Sequence, residues 1–132
     1  MSSDRQSAPA SKAMVWTGWA LSILPSLLLL FSGAMKLTRS SAVVEGFEHL
    51  GYPEQLALIL GIVEIGCTVV YLIPRTAVLG AILLTGYLGG AVATHARLLE
   101  PQFAAPVVLG VLIWGGLYLR DVRVRALIPF RN

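Results

Sequence analysis

Charged residues are scarce in this chain of 132 residues. They make up 13% of it, whereas hydrophobic residues make up 56% and the mean hydropathy is +0.76. Water-soluble domains carry about 25% charged residues. So few polar side chains cannot cover a globular surface in water. The composition therefore excludes an ordinary soluble domain and indicates an integral membrane protein.

Cysteine and histidine are also rare. Cys67 is the only cysteine, which excludes an internal disulfide, a CxxC redox pair and a thiolate metal site. We interpret it as a small buried apolar residue. The two histidines, His49 and His95, stand in no metal-ligand motif, so we predict no metal site. Haem-ligand pairs and nucleotide-binding motifs are absent from the sequence, and we predict no resident cofactor apart from a quinone-like ligand discussed below.

The net charge of +3 is too diffuse to indicate nucleic-acid binding. Basic residues cluster instead near the C-terminus, in LRDVRVRALIPFRN (119–132). Such a cluster is suited to an anionic membrane surface. The predicted partner is therefore the lipid bilayer, and no nucleic acid is expected.

The sequence contains four apolar segments, at about 15–36, 54–73, 76–95 and 104–120. Three approach the ~20 residues that a helix needs to cross a hydrocarbon core, and the fourth is near the lower limit of ~17. Short connections predict an all-α fold, an integral membrane four-helix up-down bundle over residues 14–122. Residues 1–13 are predicted to be a disordered cytoplasmic tail and residues 123–132 a basic cytoplasmic tail. In the long loop, VVEGFEHL is compatible with a short interfacial helix.

Two features concern the way the chain sits in the membrane. The first segment is longer than the apolar region of a typical signal peptide and contains Pro25, so we expect it to be retained. With four spans, both termini lie on one side together with Arg75, and that side carries most of the basic residues. The positive-inside rule therefore predicts a multi-pass protein of the cell inner (plasma) membrane with cytoplasmic termini.

Counting ~1.5 Å of rise per helical residue places Glu64, Tyr87 and Trp114 about 15 Å deep, together with a helix break at Pro25. An acidic side chain at the bilayer centre costs at least ~2.5–3.5 kcal/mol, so such residues face the bundle interior and are usually functional. The helix face that carries Glu64 is mostly small or polar and is predicted to look inward; its other members are Ala57, Leu60, Gly61, Cys67, Thr68 and Tyr71. We predict that Glu64 is catalytic, and that Tyr87 and Trp114 bind a flat ligand. With no cation expected at its depth, Glu64 is predicted to be neutral. The alternative is a protonated Glu64 that only holds helices together.

Lys36, His95 and Arg97 lie at an outer level, two to three helical turns above Glu64. We predict that Lys36 and His95 take part in catalysis, His95 by relaying protons, and that Arg97 binds ligand. The alternative is that all three only anchor helix ends in the interface. In the third segment, Gly86 and Gly90 form a GxxxG pair, and Gly61 and Gly80 add small surfaces elsewhere. These glycines predict close packing between helices.

The chain resembles the DoxX-like family of small four-helix membrane proteins. The resemblance runs from about Gly33 to Asp121 and is carried by SGAMKLT, HLGYP, LGIVEIG, PRTAVLGAILLTGYLGGAVATHARL and LIWGGLYLRD. The residues that fall on recurrent positions of the family are Lys36, Glu64, His95, Arg97, Trp114 and Arg120. The family is named after a subunit of a thiosulfate:quinone oxidoreductase, so the resemblance implies redox or membrane-quinone processes.

Three functions stay open at this point. The resemblance favours a subunit of a membrane redox system that binds a quinone-like or other small apolar molecule in an intramembrane polar site, beside a membrane or soluble oxidoreductase partner. The second is a cofactor-free membrane enzyme, an isomerase or epoxide-opening acid/base catalyst, in which Glu64 transfers protons. The third is a structural or interaction subunit. The sequence leaves homo-oligomerisation open.

Overall fold

The computed structural model describes residues 11–131, which form six α-helices and no strand. The helices are α1 (Lys12–Thr38), α2 (Ser41–Leu50), α3 (Leu56–Leu72), α4 (Ala77–Arg97), α5 (Ala104–Arg120) and α6 (Val122–Leu127). Short 3-10 turns, Pro74–Thr76 and Pro101–Phe103, precede α4 and α5. The all-α prediction is confirmed, but helices also form in the long loop and in the basic tail. Most of the predicted disordered tail (1–13) lies outside the described residues, and its last two residues belong to α1.

The extra helix α2 has clear boundary signals. Ser40 precedes it, and its hydroxyl accepts a hydrogen bond from the Val43 N–H at 3.4 Å. Gly51 follows it with φ of 78°, a left-handed conformation that glycine adopts without strain. Between them, only Phe47 is buried. A short helix therefore forms in the VVEGFEHL segment, with which the sequence was compatible.

Helix α1 continues through Pro25, so the predicted helix break is wrong. Proline lacks an N–H and therefore removes one backbone hydrogen bond. Pro25 is buried, and the next residue, Ser26, donates its hydroxyl hydrogen to the Ser22 carbonyl at 2.7 Å. Helices in membranes tolerate proline where neighbouring helices and hydroxyl side chains surround the affected turn.

The four longest helices pack side by side, with α1 and α4 each contacting both α3 and α5. Neighbours run antiparallel: near its start, at Gly18, α1 meets Gly116 near the end of α5. Near its end, at Gly33, α1 meets Gly61 near the start of α3. The molecule thus has a terminal end, where α1 begins and α5 ends, and a loop end, which carries α2.

Close backbone contacts occur at Gly61 and Gly80, as predicted, but not at the GxxxG pair. No atom of another helix lies within 4 Å of a Cβ built on Gly86 or Gly90, so the predicted GxxxG packing is wrong. At Gly80, one helical turn into α4, such a Cβ would overlap the backbone of Tyr71. The GxxxG spacing produces a smooth helix face, but it does not determine whether that face is oriented toward another helix.

Three helical stretches are long and apolar enough to cross a membrane: Lys12–Thr38, Pro74–Arg97 and Pro101–Arg120. Helix α3 is also apolar but has only 17 residues. Large apolar side chains such as Leu24, Leu27 and Phe31 are more than half exposed on α1. Contiguous apolar surface of this kind requires a nonaqueous environment, so the chain is a membrane protein.

The face of α3 that the sequence predicted to look inward is buried. Its buried residues are Ala57, Gly61, Glu64, Thr68 and Tyr71. Around Tyr71 the core is completed by Leu84, Ile113 and Leu117 from α4 and α5. Glu64 therefore lies on the most buried surface of the molecule.

Candidate functional site

Glu64 is the centre of a buried polar cluster that joins three helices. Its side chain is 1% exposed, and its Oε1 accepts hydrogen bonds from Lys36 Nζ at 2.8 Å and from the Tyr87 hydroxyl at 2.6 Å. Lys36 belongs to α1, Glu64 to α3 and Tyr87 to α4. We call these residues the Lys36–Glu64–Tyr87 cluster. The sequence predicted all three as site residues, and the structure brings them together.

The ion pair corrects the expectation that no cation reaches Glu64. Gly33 lies opposite Gly61 on antiparallel helices. Lys36 lies three residues beyond Gly33 toward the loop end, and Glu64 three residues beyond Gly61 toward the terminal end. Their backbones are therefore about six residues, or ~9 Å, apart along the helix axes. Side chains on a helix tilt toward its N-terminus, so on antiparallel helices these two lean toward each other. The long lysine side chain closes the remaining gap. The expectation of an unpaired Glu64 is therefore wrong, since its Oε1 lies 2.8 Å from Lys36 Nζ.

Two glycines allow α1 and α3 to approach closely enough for this contact. A Cβ on Gly61 would lie 2.9 Å from the Gly33 carbonyl oxygen and 3.1 Å from Lys36 Cβ. One turn before Lys36, the Ser32 hydroxyl accepts a second hydrogen bond from Nζ at 2.8 Å. Lys36 is 19% exposed, so its ammonium group lies between the buried carboxylate and the surface near the loop end.

The cluster can hold and pass a proton. Lys36, Glu64 and Tyr87 form a continuous series of hydrogen bonds in which each side chain carries an exchangeable proton in one of its states. Both bonds to Glu64 end on Oε1, and Oε2 accepts no hydrogen bond from residues 11–131. That oxygen is the acceptor left for a further donor. In the same part of the chain, no group of three or more His, Cys, Asp or Glu side chains is arranged to hold a metal ion.

Trp114 lies in a different place, on the outer side of α4 and α5. Its indole N–H donates to the Thr85 hydroxyl at 2.7 Å, and that hydroxyl donates to the Ala81 carbonyl at 2.7 Å. The two bonds fix the indole ring across the gap between the helices. Thr85 gave no signal of this role in the sequence, because a lone threonine in an apolar helix is usually bonded to its own backbone.

The fixed indole forms part of an apolar groove with a volume of about 600 Å³. We call it the α4–α5 groove; it is lined by Thr85, Leu88, Gly89, Val92, Pro106, Val107, Gly110, Val111, Trp114, Gly115, Tyr118 and Ile128. Val107 and Val111 at its rim are about half exposed or more, so the groove opens on the side that faces lipid. Neither Tyr87 nor Arg97 lines it.

His95 lies at the loop end and is separate from the cluster. Its Nδ1 is 3.5 Å from Glu100 Oε1, and the other carboxylate oxygen of Glu100 is 2.8 Å from His49 Nε2. Glu100 thus bridges the two histidines, with a hydrogen bond to His49 of α2 and a longer contact, without a hydrogen bond, to His95 of α4. A proton-relay role for His95 toward Glu64 stays a prediction that no direct contact supports.

Arg97 also holds α2 in place. Its guanidinium group donates to the Leu50 carbonyl at the end of α2 and lies 5.7 Å from the centre of the Tyr52 ring. The Tyr52 hydroxyl is in turn 2.8 Å from Thr94 Oγ1 on α4. A ligand-binding role for Arg97 stays a prediction, since these contacts already engage its side chain.

The Glu100 bridge predicts a pH dependence of the loop end. The hydrogen bond with His49 is the main cause that lowers the pKa of Glu100 below its ordinary value of 4.5, and it outweighs desolvation, which raises the pKa. A carboxyl with a lowered pKa stabilises the fold above its unfolded-state pKa, and the contribution is lost as the pH falls through the folded-state pKa. We therefore expect α2 to be held at neutral pH and to loosen only below about pH 4.5.

Amide hydrogen exchange of α2, corrected for intrinsic rates, measures this effect. Glu100→Gln should raise exchange of residues 41–50 at neutral pH to the level that the wild type reaches only in acid. Glu48→Gln is the matched control, since Glu48 is exposed on the same helix. Equal protection in the wild type and in Glu100→Gln at neutral pH would contradict the assignment.

A second polar cluster, at the terminal end, was not predicted. The Arg120 Nε donates to Ser22 Oγ at 3.0 Å, and the guanidinium carbon lies 4.1 Å from the centre of the Trp19 ring. The Tyr71 hydroxyl is 2.8 Å from Ser22 Oγ and 2.7 Å from the Ile113 carbonyl, which takes its hydrogen. These bonds tie α1, α3 and α5 together. Arg120, which falls on a recurrent position of the family, was the available signal.

Comparison with known proteins extends the family resemblance. The sequence model of the DoxX-like family matches residues 20–116 of the chain, a range that includes the Lys36–Glu64–Tyr87 cluster and Trp114. The resemblance stated from the motifs is thereby confirmed. Searches of the curated proteins and of the solved structures found no match.

Proposed function

Because the chain belongs to the DoxX-like family, we propose that α1, α3, α4 and α5 cross the bilayer as a four-helix up-down bundle. Three of these are long and apolar enough by themselves. The 17 residues of α3 reach the lower limit of ~17, and its neighbours cover its polar face. The basic residues at the terminal end are Lys12, Arg75, Arg120, Arg123, Arg125 and Arg131. This charge supports cytoplasmic termini by the positive-inside rule, in a protein of the inner (plasma) membrane.

In this membrane protein the α4–α5 groove binds a small, flat, apolar molecule of the quinone type. The observation that supports this proposal is the indole of Trp114, which Thr85 fixes in an otherwise apolar groove open to lipid. Binding sites for small molecules are mostly apolar, with few polar groups and a volume of roughly 300–1,000 Å³. A flat ring can stack on the indole and reach the groove by diffusing within the membrane.

The Lys36–Glu64–Tyr87 cluster lies on the face of α4 next to the one that lines the groove. In the proposed function it is the polar site within the membrane. It holds a proton donor and a carboxylate inside the apolar core. Electron transfer belongs to a membrane or soluble oxidoreductase partner, and this chain acts as the subunit that holds the ligand in the membrane.

Trp114→Leu tests the groove. The full chain is reconstituted in nanodiscs, titrated with a short-chain ubiquinone analogue and followed by native mass spectrometry. Because an aromatic pair contributes about 0.5–1.5 kcal/mol, we expect binding to weaken by up to about tenfold. Trp16→Leu is the control, since Trp16 is 76% exposed and lies outside the groove. Equal, unsaturable uptake by both variants and the wild type would contradict the proposal.

A second function, cofactor-free acid/base catalysis on a lipophilic substrate, is favoured by one observation. Glu64 accepts hydrogen bonds from a lysine and a tyrosine at the same oxygen, which gives one carboxylate with two proton donors. The purified chain alone would then turn over an epoxide or an isomerisable lipid, and Glu64→Gln would lose that turnover. Trp114→Leu separates the two functions, because it weakens ring binding without changing the carboxylate.

A further inference from the structure

A polar pocket at the terminal end carries an inference that is independent of the groove. The pocket has a volume of about 280 Å³ and is lined by Pro74, Arg75, Val78, Asp121 and Arg123. It lies between the turn that joins α3 to α4 and the junction of α5 with α6. Two separate parts of the chain thus each contribute an arginine to one pocket.

Within residues 11–131, the guanidinium groups of Arg75 and Arg123 form no hydrogen bond and no ion pair. Both residues are exposed. The carboxylate of Asp121 accepts the backbone N–H of Arg123 at 2.9 Å and caps α6. By contrast, Arg125 donates to the Tyr118 and Leu119 carbonyls, both at 2.9 Å.

The charge of the pocket selects its ligand. Two arginines and one aspartate leave one net positive charge, which a phosphodiester with a single negative charge balances. Arginine binds phosphate oxygens through its planar pair of N–H donors. Pro74 and Val78 supply an apolar wall beside these donors, which fits a molecule with a phosphate and a hydrocarbon part.

The position of the pocket indicates a lipid source for that phosphate. It lies where α3 ends and α4 begins, at the depth of the headgroups if these helices cross the bilayer. Leu127, Ile128 and Phe130 are exposed at the same end, and Phe130 is 81% exposed. Exposed apolar residues next to basic ones are typical of a segment that lies in the membrane interface.

We propose that the Arg75–Arg123 pocket binds the phosphodiester headgroup of an anionic membrane lipid. The two guanidinium groups hold the phosphate oxygens, and the acyl chains continue along the apolar outside of α4. Asp121 keeps the site selective for a singly charged headgroup. Binding at this site secures the α3–α4 turn and α6 to the same leaflet.

The test is lipid retention by the full chain, measured by native mass spectrometry in mixed micelles. Phosphatidylglycerol is compared with phosphatidylcholine of identical acyl chains. We expect one phosphatidylglycerol per chain to be retained in preference to phosphatidylcholine. Arg75→Gln and Arg123→Gln should each lower this retention about tenfold, since each removes charged hydrogen bonds to the phosphate. Arg131→Gln, which removes the same charge outside the pocket, should leave it unchanged.

Three results would overturn the proposal. Equal loss in Arg131→Gln would mean that general surface charge holds the lipid. Equal retention of the two lipids would show that the net charge of the pocket does not discriminate between an anionic and a zwitterionic headgroup. Displacement of the lipid by millimolar inorganic phosphate would identify a site for free phosphate instead. Thermal unfolding of each variant in the same micelles is the control that the chain stays folded when an exposed arginine is replaced.

Discussion

Gly80→Ala is expected to destabilise the folded chain by about 3 kcal/mol, near the upper end of the usual cost of overpacking. A Cβ at this position would overlap the backbone N and Cα of Tyr71. Backbone atoms cannot move aside as a flexible side chain does, so α3 and α4 must separate. Since Tyr71 is fully buried and bonded to Ile113, that separation also disturbs the packing against α5.

Unfolding in mixed micelles with increasing sodium dodecyl sulfate gives the free-energy difference. Gly86→Ala is the matched control on the same helix, because nothing lies within 4 Å of its built Cβ. Alanine forms helix better than glycine by roughly 0.5–1 kcal/mol, so this control should be neutral or slightly stabilising. Equal effects of the two substitutions would contradict the close approach of α3 and α4.

Lys36→Met is expected to destabilise the chain by about 3 kcal/mol, because removing one partner of a buried ion pair leaves an uncompensated charge. Glu64 is 1% exposed and has its Oε1 2.8 Å from Lys36 Nζ. The double variant Lys36→Met/Glu64→Gln removes both charges and should recover most of the lost stability. The result follows from desolvation, since a lone carboxylate in the apolar core has no water to replace its cation.

The same unfolding measurement checks the ion pair, with Lys12→Met as control. Lys12 is exposed at the start of α1 and forms no ion pair within residues 11–131. If Lys36→Met costs no more than Lys12→Met, the carboxyl is neutral and the ion pair is absent. If the double variant is less stable than Lys36→Met, the two side chains do not act as a pair.

The sequence predicted the helices better than the contacts between them. The apolar segments lie close to α1, α3, α4 and α5, because length and hydropathy are local properties of the chain. The buried face of α3 around Glu64 was also predicted, since one helix has a fixed period. VVEGFEHL was compatible with a short helix, but its boundaries at Ser40 and Gly51 came from the structure.

Contacts between helices depend on rotation and side-chain direction, which composition does not fix. Counting residues gave the depth of the Lys36 backbone but not the tilt that carries its ammonium group to Glu64. The GxxxG pair at Gly86 and Gly90 was recognisable, but its orientation away from the other helices was not. For the same reason, Tyr87 and Trp114 were placed in one site, whereas they lie on different faces of the bundle.

We propose the α4–α5 groove as the place where this membrane protein holds a flat apolar molecule. The most direct test is native mass spectrometry of the wild type and of Trp114→Leu, both gently extracted together with their lipids. The account predicts one discrete ring-containing molecule on the wild type and its loss from Trp114→Leu, with Trp16→Leu like the wild type. A wild type that carries only ordinary lipids, identical to those on Trp114→Leu, would contradict it.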